Sequence, residues 1–167
     1  MKPRRIILLF LFTVFLIAVF GAWKFFGLTV KSPEGKFFYI HTGATYDQVK
    51  DSLIKDKIIG TGFWFDKVAS YSNYDKNVKA GKYKISGGMS IVGLIKMLRN
   101  GRQTPVNLVI TKLRTKEDLA KKIADNFETD SVSVINFLNS NDSLLQFDVD
   151  TNTVMTMVIP NTYIYNW

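Results

Sequence analysis

Apolar and polar positions repeat one pattern three times along the chain, in segments that begin at Ile40, Ile85 and Ile110. In each segment an isoleucine closes a short apolar run, and a hydroxyl residue follows five positions later. Apolar residues come nine and thirteen positions after the isoleucine. The hydroxyl can accept hydrogen bonds from the free amides of a helix start, and apolar residues four apart share one helix face. The pattern predicts three strand–helix units, whose hydroxyl and apolar residues are Thr45, Val49 and Leu53; Ser90, Leu94 and Leu98; and Thr115, Leu119 and Ile123.

The residues around these hydroxyls support tight strand-to-helix turns. Gly43 and the pair Gly87-Gly88 allow sharp turns. Gln48 follows Thr45 at the spacing of a capping box, and Asp118 follows Thr115 in a looser version of it. Because any strand–helix unit has these features, the repeat predicts a fold and not a function.

Four further segments complete the outline. Thr61–Ser70 is predicted to be a helix capped by Thr61, Ser131–Leu138 a short helix, and Asn139–Asp150 a loop rich in Asn, Asp and Ser. The chain ends on VIPNTYIYNW, a run of β-formers and aromatics, whereas termini are usually polar and frayed. We expect residues 158–167 to be a strand whose partners lie further along a longer chain.

The first thirty residues are the most apolar. Ile6–Trp23 is an uncharged run of 18 residues, and such a helix is about 27 Å long, close to the thickness of a bilayer core. A cleaved signal peptide would have a shorter core and a small-x-small site, which Val19–Gly21 matches poorly. We predict an uncleaved transmembrane anchor at residues 6–28, with a cytoplasmic tail at residues 1–5 because its three basic residues follow the positive-inside rule.

Charge suggests the kind of partner. The chain has 22 Lys and Arg against 14 Asp and Glu, and the basic residues lie before residue 123. A basic body suggests acidic partners such as phospholipid headgroups, the carboxylates of wall peptides, or nucleic acid. Nucleic acid would require a cytoplasmic location and is not expected. Scattered lysines also simply make a soluble surface.

Few side chains are candidates for chemistry. The absence of Cys excludes a disulfide framework and a thiolate site, and His41 as the single histidine leaves no metal cluster and no Ser-His-Asp triad. The three glutamates, Glu34, Glu117 and Glu128, lack the apolar context that would raise a carboxyl pKa for acid catalysis. We therefore predict no catalytic residue in this chain, no metal site and no cofactor. The aromatic trios Phe37–Tyr39 and Phe63–Phe65 could stack on sugar rings, although core packing explains most of each trio.

Two stretches resemble a known kind of module. Tyr39–Leu53 and Tyr83–Leu98 are similar to LysM-type glycan-binding modules, in which Y-x-x-x-x-G-x-[ST] leads into an apolar helix. The resemblance makes Tyr83 a candidate substrate-binding residue, and Trp64 of the second aromatic trio is a further candidate for contact with the sugar.

The whole chain resembles the N-terminal half of the YceG-like (MltG) family of endolytic murein transglycosylases. Gly43–Thr45, Ile58–Phe63, Ala80–Ser90 (AGKYKISGGMS) and Ile159–Tyr163 (IPNTY) match the family's segments in order. At Lys112–Thr115 the chain departs from the family's E-G-x-[ST] turn.

The resemblance implies a lyase that cleaves glycan strands between N-acetylmuramic acid and N-acetylglucosamine and leaves 1,6-anhydro ends. The family's catalytic glutamate follows P-[DN]-T-Y in an E-K-x-T-like motif, which this chain lacks. The resemblance therefore implies that the 167-residue chain is truncated and inactive on its own. It carries Asn161 and Tyr163 over as candidate substrate-binding residues near the active site.

These expectations combine into one prediction. The fold class is α+β, with an N-terminal transmembrane helix, LysM-like strand–helix units at residues 29–104, and the start of a mixed α/β catalytic domain at residues 105–167. The expected partners are peptidoglycan strands, the inner membrane and wall-synthesis proteins, with the bulk of the chain outside the cytoplasm. The alternative is a non-enzymatic anchored module that binds peptidoglycan or a protein partner.

Overall fold

The computed structural model describes residues 3–26 and 30–167, with the backbone alone for residues 3–7 and 23–26. The chain forms two compact units, Met1–Gln103 and Thr104–Trp167. The N-terminal unit contains α1 (Pro3–Phe26), β1 (Phe38–Ile40), α2 (Tyr46–Lys55), α3 (Gly62–Tyr71), β2 (Gly81–Tyr83) and α4 (Ile91–Asn100). The C-terminal unit contains β3 (Val106–Ile110), α5 (Lys116–Ala124), α6 (Ser131–Leu138), α7 (Asn141–Leu144), two short 3-10 helices (Leu145–Phe147 and Val154–Met157) and β4 (Asn161–Tyr165).

The N-terminal unit is organised around an antiparallel pair of short strands. β1 and β2 pair with Phe38 opposite Tyr83 and Ile40 opposite Gly81. Phe38, Ile40 and Tyr83 are buried with the apolar faces of α2, α3 and α4. Because alternate residues of a strand point to opposite faces, the central pair, Tyr39 and Lys82, lies on the outer face. The first two predicted strand–helix units therefore share one sheet and one core.

The predicted helix starts at Thr45, Ser90 and Thr115 are confirmed. Each of the three hydroxyls accepts a hydrogen bond from the backbone amide three residues later. Around Thr45 the capping box is complete, because the Gln48 side chain accepts from the Thr45 amide at 2.9 Å. Thr61 precedes α3, but its side chain makes no capping hydrogen bond, so that part of the α3 prediction is wrong.

The helix ends of the N-terminal unit also follow one pattern. After α2, the Lys57 amide donates to the Ile54 carbonyl and the Ile58 amide donates to the Leu53 carbonyl. These are the two hydrogen bonds of a Schellman motif, whose residue after the cap is left-handed. The equivalent pair of backbone hydrogen bonds ends α3 and α4. The left-handed residues there are Asn73 and Gly101.

A polar clasp joins α2 to α3. The Tyr46 hydroxyl donates to Asp66 Oδ1 at 2.6 Å, and Lys50 Nζ lies 3.2 Å from the same oxygen. Burial and this hydrogen bond raise the pKa of Tyr46. The Tyr46 ring also stacks on Phe65, with centroids 5.8 Å apart. The clasp fixes the side of α2 that faces α3 and leaves the opposite side for other contacts.

The C-terminal unit has its own core. β3 and β4 pair antiparallel over five residues, with Leu108 opposite Tyr163. Leu108 and Ile110 of β3 are buried with Leu119, Leu138 and Leu144 of the helices. The predicted helix at Ser131–Leu138 is confirmed. Two expectations are wrong: β4 finds its partner in β3 within this chain, and residues 141–147 are helical because Ser140 caps α7.

The predicted transmembrane anchor at residues 6–28 is wrong for the residues that the structure describes. None of the helices in the described part of the chain has the length and apolar content needed to cross a membrane. The flanks of the expected anchor and the side chains of the expected tail at residues 1–5 lie outside the described residues. The predicted fold class is therefore corrected to mixed helices and short strands.

Gly81 provides a test of the N-terminal unit. Its φ is +146°, and a Cβ there would lie 2.2 Å from Gln103 Cδ. Moving Gln103 would cost its 2.8 Å hydrogen bond to the Ala80 carbonyl. We expect Gly81→Ala to lower the free energy of unfolding by about 2 kcal/mol, measured by urea denaturation.

The matched control for this substitution is Gly60→Ala. A Cβ at Gly60 would meet no heavy atom within 4 Å, so the change should stay within about 0.5 kcal/mol. Equal effects of the two substitutions would contradict the role assigned to Gly81.

Candidate functional site

A surface groove lies where β1 turns into α2, and we call it the turn groove. It has a volume of about 380 Å³ and is lined by residues 38–44 together with Gln48, Val49 and Ser52. Gly43, with a φ of +79°, makes the turn, which the Ala44 amide closes by donating to the His41 carbonyl at 3.1 Å. The N-terminal cap of α2 thus also forms one wall of the groove.

The lining of the turn groove combines an apolar floor with a polar rim. Phe38, Ile40 and Val49 are buried beneath it. Thr42 and Ser52 at the rim are exposed and supply hydroxyl groups. Tyr39 at the strand edge is 43% exposed. A site of this type suits a ligand with one apolar face and several hydroxyl or amide groups, and a sugar ring has both.

Two of the predicted site residues lie in the N-terminal unit, and neither lines the turn groove. Tyr83 is fully buried, and its hydroxyl donates to the Lys79 carbonyl at 2.9 Å. Burial raises the pKa of Tyr83 to about 12. Trp64 is half-buried on α3 and packs edge-on against Phe63 at 5.3 Å between centroids. Their roles in substrate binding stay predictions.

The other two predicted site residues belong to β4 in the C-terminal unit. Asn161 is exposed, and its side chain accepts from the Thr162 amide at 2.7 Å. Tyr163 is half-buried, stacks on Tyr165 with centroids 6.2 Å apart, and donates its hydroxyl to the Ile159 carbonyl at 3.0 Å. The IPNTY segment therefore forms a hydrogen-bonded turn into β4. Substrate contact at Asn161 or Tyr163 stays a prediction.

The glutamates do not converge in the structure. Glu34 lies beside Pro33 and Gly35 in the loop before β1, while Glu117 lies in the first turn of α5 and Glu128 lies after the end of that helix. The described residues contain no group of three His, Asp or Glu side chains able to hold a metal ion.

Sequence reasoning missed Ser52 and Thr42 as groove residues. A signal was present, since Gln48 and Ser52 are four apart and lie on the face of α2 away from its buried residues Val49 and Leu53. Helical spacing alone puts Ser52 beside Gln48. What the spacing could not provide is the position of β1 next to them, which depends on pairing with β2.

Residues 38–167 match the model of the YceG-like family. The chain belongs to the YceG-like family, and the resemblance noted in the sequence is confirmed. A crystal structure of a yceG-like protein from Listeria monocytogenes is similar, with 21% sequence identity and a TM-score of 0.44 over 80% of this chain. This chain covers 48% of the Listeria protein, about half its length. No sequence among the curated proteins matches this chain.

The buried Tyr83 predicts a specific pH dependence. A phenol with a pKa of 10.0 when unfolded and about 12 when folded adds stability below pH 10 that is lost as the pH rises to about 12. We expect the free energy of unfolding to fall more steeply for the wild type than for Tyr83→Phe between about pH 10 and about pH 12. Urea denaturation at each pH measures this slope.

Tyr71→Phe is the control, because the Tyr71 ring is 93% exposed. This control should keep the wild-type slope. Parallel curves for the wild type and Tyr83→Phe would show that Tyr83 does not resist ionisation in the folded state.

Proposed function

We propose that this chain is the glycan-binding part of a lytic transglycosylase that acts on peptidoglycan. The observation that carries the proposal is the match of residues 38–167 to the YceG-like family. The resemblance of the sequence motifs to endolytic murein transglycosylases implies cleavage between N-acetylmuramic acid and N-acetylglucosamine. Peptidoglycan lies outside the cytoplasm, so the proposal requires residues 38–167 to be exported.

The turn groove supports the binding part of the proposal. Tyr39 lines the groove and is 43% exposed, so its ring offers a surface for the C–H face of a sugar. The exposed rim residues Thr42 and Ser52 offer hydroxyl groups for the hydroxyl and acetamido groups of the same sugar.

The chemical step needs one general acid, which protonates the glycosidic oxygen and later serves as base for the muramyl 6-hydroxyl. That hydroxyl attacks C1, so no water is consumed and the product is a 1,6-anhydro ring. None of Glu34, Glu117 and Glu128 is followed by the K-x-T of the family's motif. The proposal therefore assigns glycan binding to the 167-residue chain. It expects no cleavage by this chain alone.

Blocking the turn groove tests the binding role. We expect Ser52→Trp to fill the groove and to weaken binding by at least about tenfold. The ligand is a set of glycan strands from which an amidase has removed the peptides, and titration calorimetry with the full chain measures the affinity.

Ser70→Trp is the matched control, because Ser70 is likewise an exposed helical serine of the N-terminal unit but does not line the groove. It should bind as the wild type does. Absence of binding by the wild type would overturn the glycan-binding role, and equal binding by both variants would remove the turn groove from it.

The reaction is tested in cells. Overexpression of a full-length reading frame that contains residues 1–167 and continues into an E-K-x-T-like motif should raise the fraction of 1,6-anhydro muropeptides about twofold or more above a vector control, as judged by mass spectrometry of digested cell walls. An unchanged fraction, together with glycan binding in the calorimeter, would favour the non-enzymatic binding module instead.

A further inference from the structure

A second groove lies further along α2, at its C-terminal end. It is lined by residues 33–35, Phe37 and residues 55–57 and has a volume of about 480 Å³. Ser52 lines the turn groove and Lys55 lines the second groove, and residues three apart are neighbours on a helix surface. Phe37 and Phe38 are likewise consecutive in the chain. We call this second groove the lysine groove.

The lysine groove carries charges of both signs. Lys55 and Lys57 lie on its wall with Glu34 and Asp56. Among the residues that the structure describes, the ion pairs involve Lys50 with Asp47 and with Asp66, and neither groove lysine is in an ion pair with a described carboxylate. Such lysines remain able to take a carboxylate from a ligand.

Two more lysines stand at the Phe37 side of the groove. Lys82 Nζ lies 4.1 Å from the centre of the Phe37 ring, and Lys36 Nζ lies 5.8 Å from it. A cation over an aromatic face is attracted by the ring quadrupole, which holds positive charge close to the groove. The local balance around the lysine groove is therefore positive.

The backbone at Lys57 has a conformation that lysine rarely adopts. Lys57 occupies the left-handed position of the Schellman motif after α2 with a φ of 54°, where α4 uses Gly101. A lysine in this conformation costs free energy that glycine avoids. Strained residues of this kind concentrate at binding sites, where the side chain has a use. The left-handed position after α2 places the Lys57 side chain on the wall of the lysine groove.

We propose that the lysine groove binds the peptide attached to the glycan while the turn groove holds the sugars. This inference rests on the proposed function. Wall peptides carry carboxylates and ammonium groups along a short chain. Lys55 and Lys57 match the carboxylates, and Glu34 and Asp56 match an ammonium group. The turn groove and the lysine groove together thus recognise peptide-bearing strands over bare ones.

The test compares two ligands with the full chain, namely glycan strands that carry their peptides and the same strands after amidase treatment. We expect the wild type to bind the peptide-bearing strands about tenfold more tightly. In the double variant Lys55→Gln/Lys57→Gln the ratio of the two affinities should fall to about one, because both variant side chains are neutral.

The double variant Lys67→Gln/Lys76→Gln is the matched control. It removes the same charge from two exposed lysines of the N-terminal unit that do not line the groove, and it should keep the wild-type ratio. If the control lowers the ratio as much as the groove variant does, net charge explains the preference and the inference is overturned.

A second variant separates binding from folding. Lys57→Gly relieves the left-handed strain, so its melting temperature should equal or exceed that of the wild type while the affinity ratio falls. A stable Lys57→Gly protein with an unchanged ratio would overturn the role of Lys57.

The remaining outcomes distinguish the inference from the proposed function. Equal wild-type affinity for both kinds of strand would overturn the inference and leave glycan binding in place. Failure to bind either strand would overturn the proposed function and the inference with it.

Discussion

Each helix must satisfy the amide groups at its start and the carbonyl groups at its end, and the structure of the N-terminal unit depends on how this is done. α2, α3 and α4 have ten residues each, so their ends make up a large part of their length. Short isolated helices are marginal in water. Hydroxyl caps at the starts of α2 and α4 and Schellman motifs at all three ends let these helices form where the core needs them.

The same helix ends also shape the surface. The turn that ends at the Thr45 cap forms one wall of the turn groove, and the Schellman motif at Lys57 forms a wall of the lysine groove. Both grooves thus lie along α2, one at its start and one at its end. The clasp from Tyr46 and Lys50 to Asp66 holds the other side of the helix against α3. The two grooves arise here from the local requirements of the start and the end of a helix.

The C-terminal unit obeys the same rule at its helix starts. Thr115, Asp130 and Ser140 each accept a hydrogen bond from the amide three residues on. The amide and hydroxyl of Ser133 lower the pKa of Asp130, as a carboxylate at a helix start should show. Its sheet differs in that most of β4 is exposed, including Ile164 and Tyr165, whereas Phe38 and Ile40 of β1 are buried against helices. The PNTY segment leads into this open strand.

Sequence alone determined the features that depend on near neighbours. The hydroxyl caps at Thr45, Ser90 and Thr115 and the apolar pairs behind them follow from spacings of three and four residues, because a helix brings those residues together wherever it lies. The family could be recognised for a similar reason, since AGKYKISGGMS and IPNTY are contiguous stretches. Tertiary structure decided the rest, because β1 meets β2 and β3 meets β4 across many intervening residues. Only that pairing buries Tyr83, places Ser52 beside β1, and puts Phe37 across a groove from Lys57.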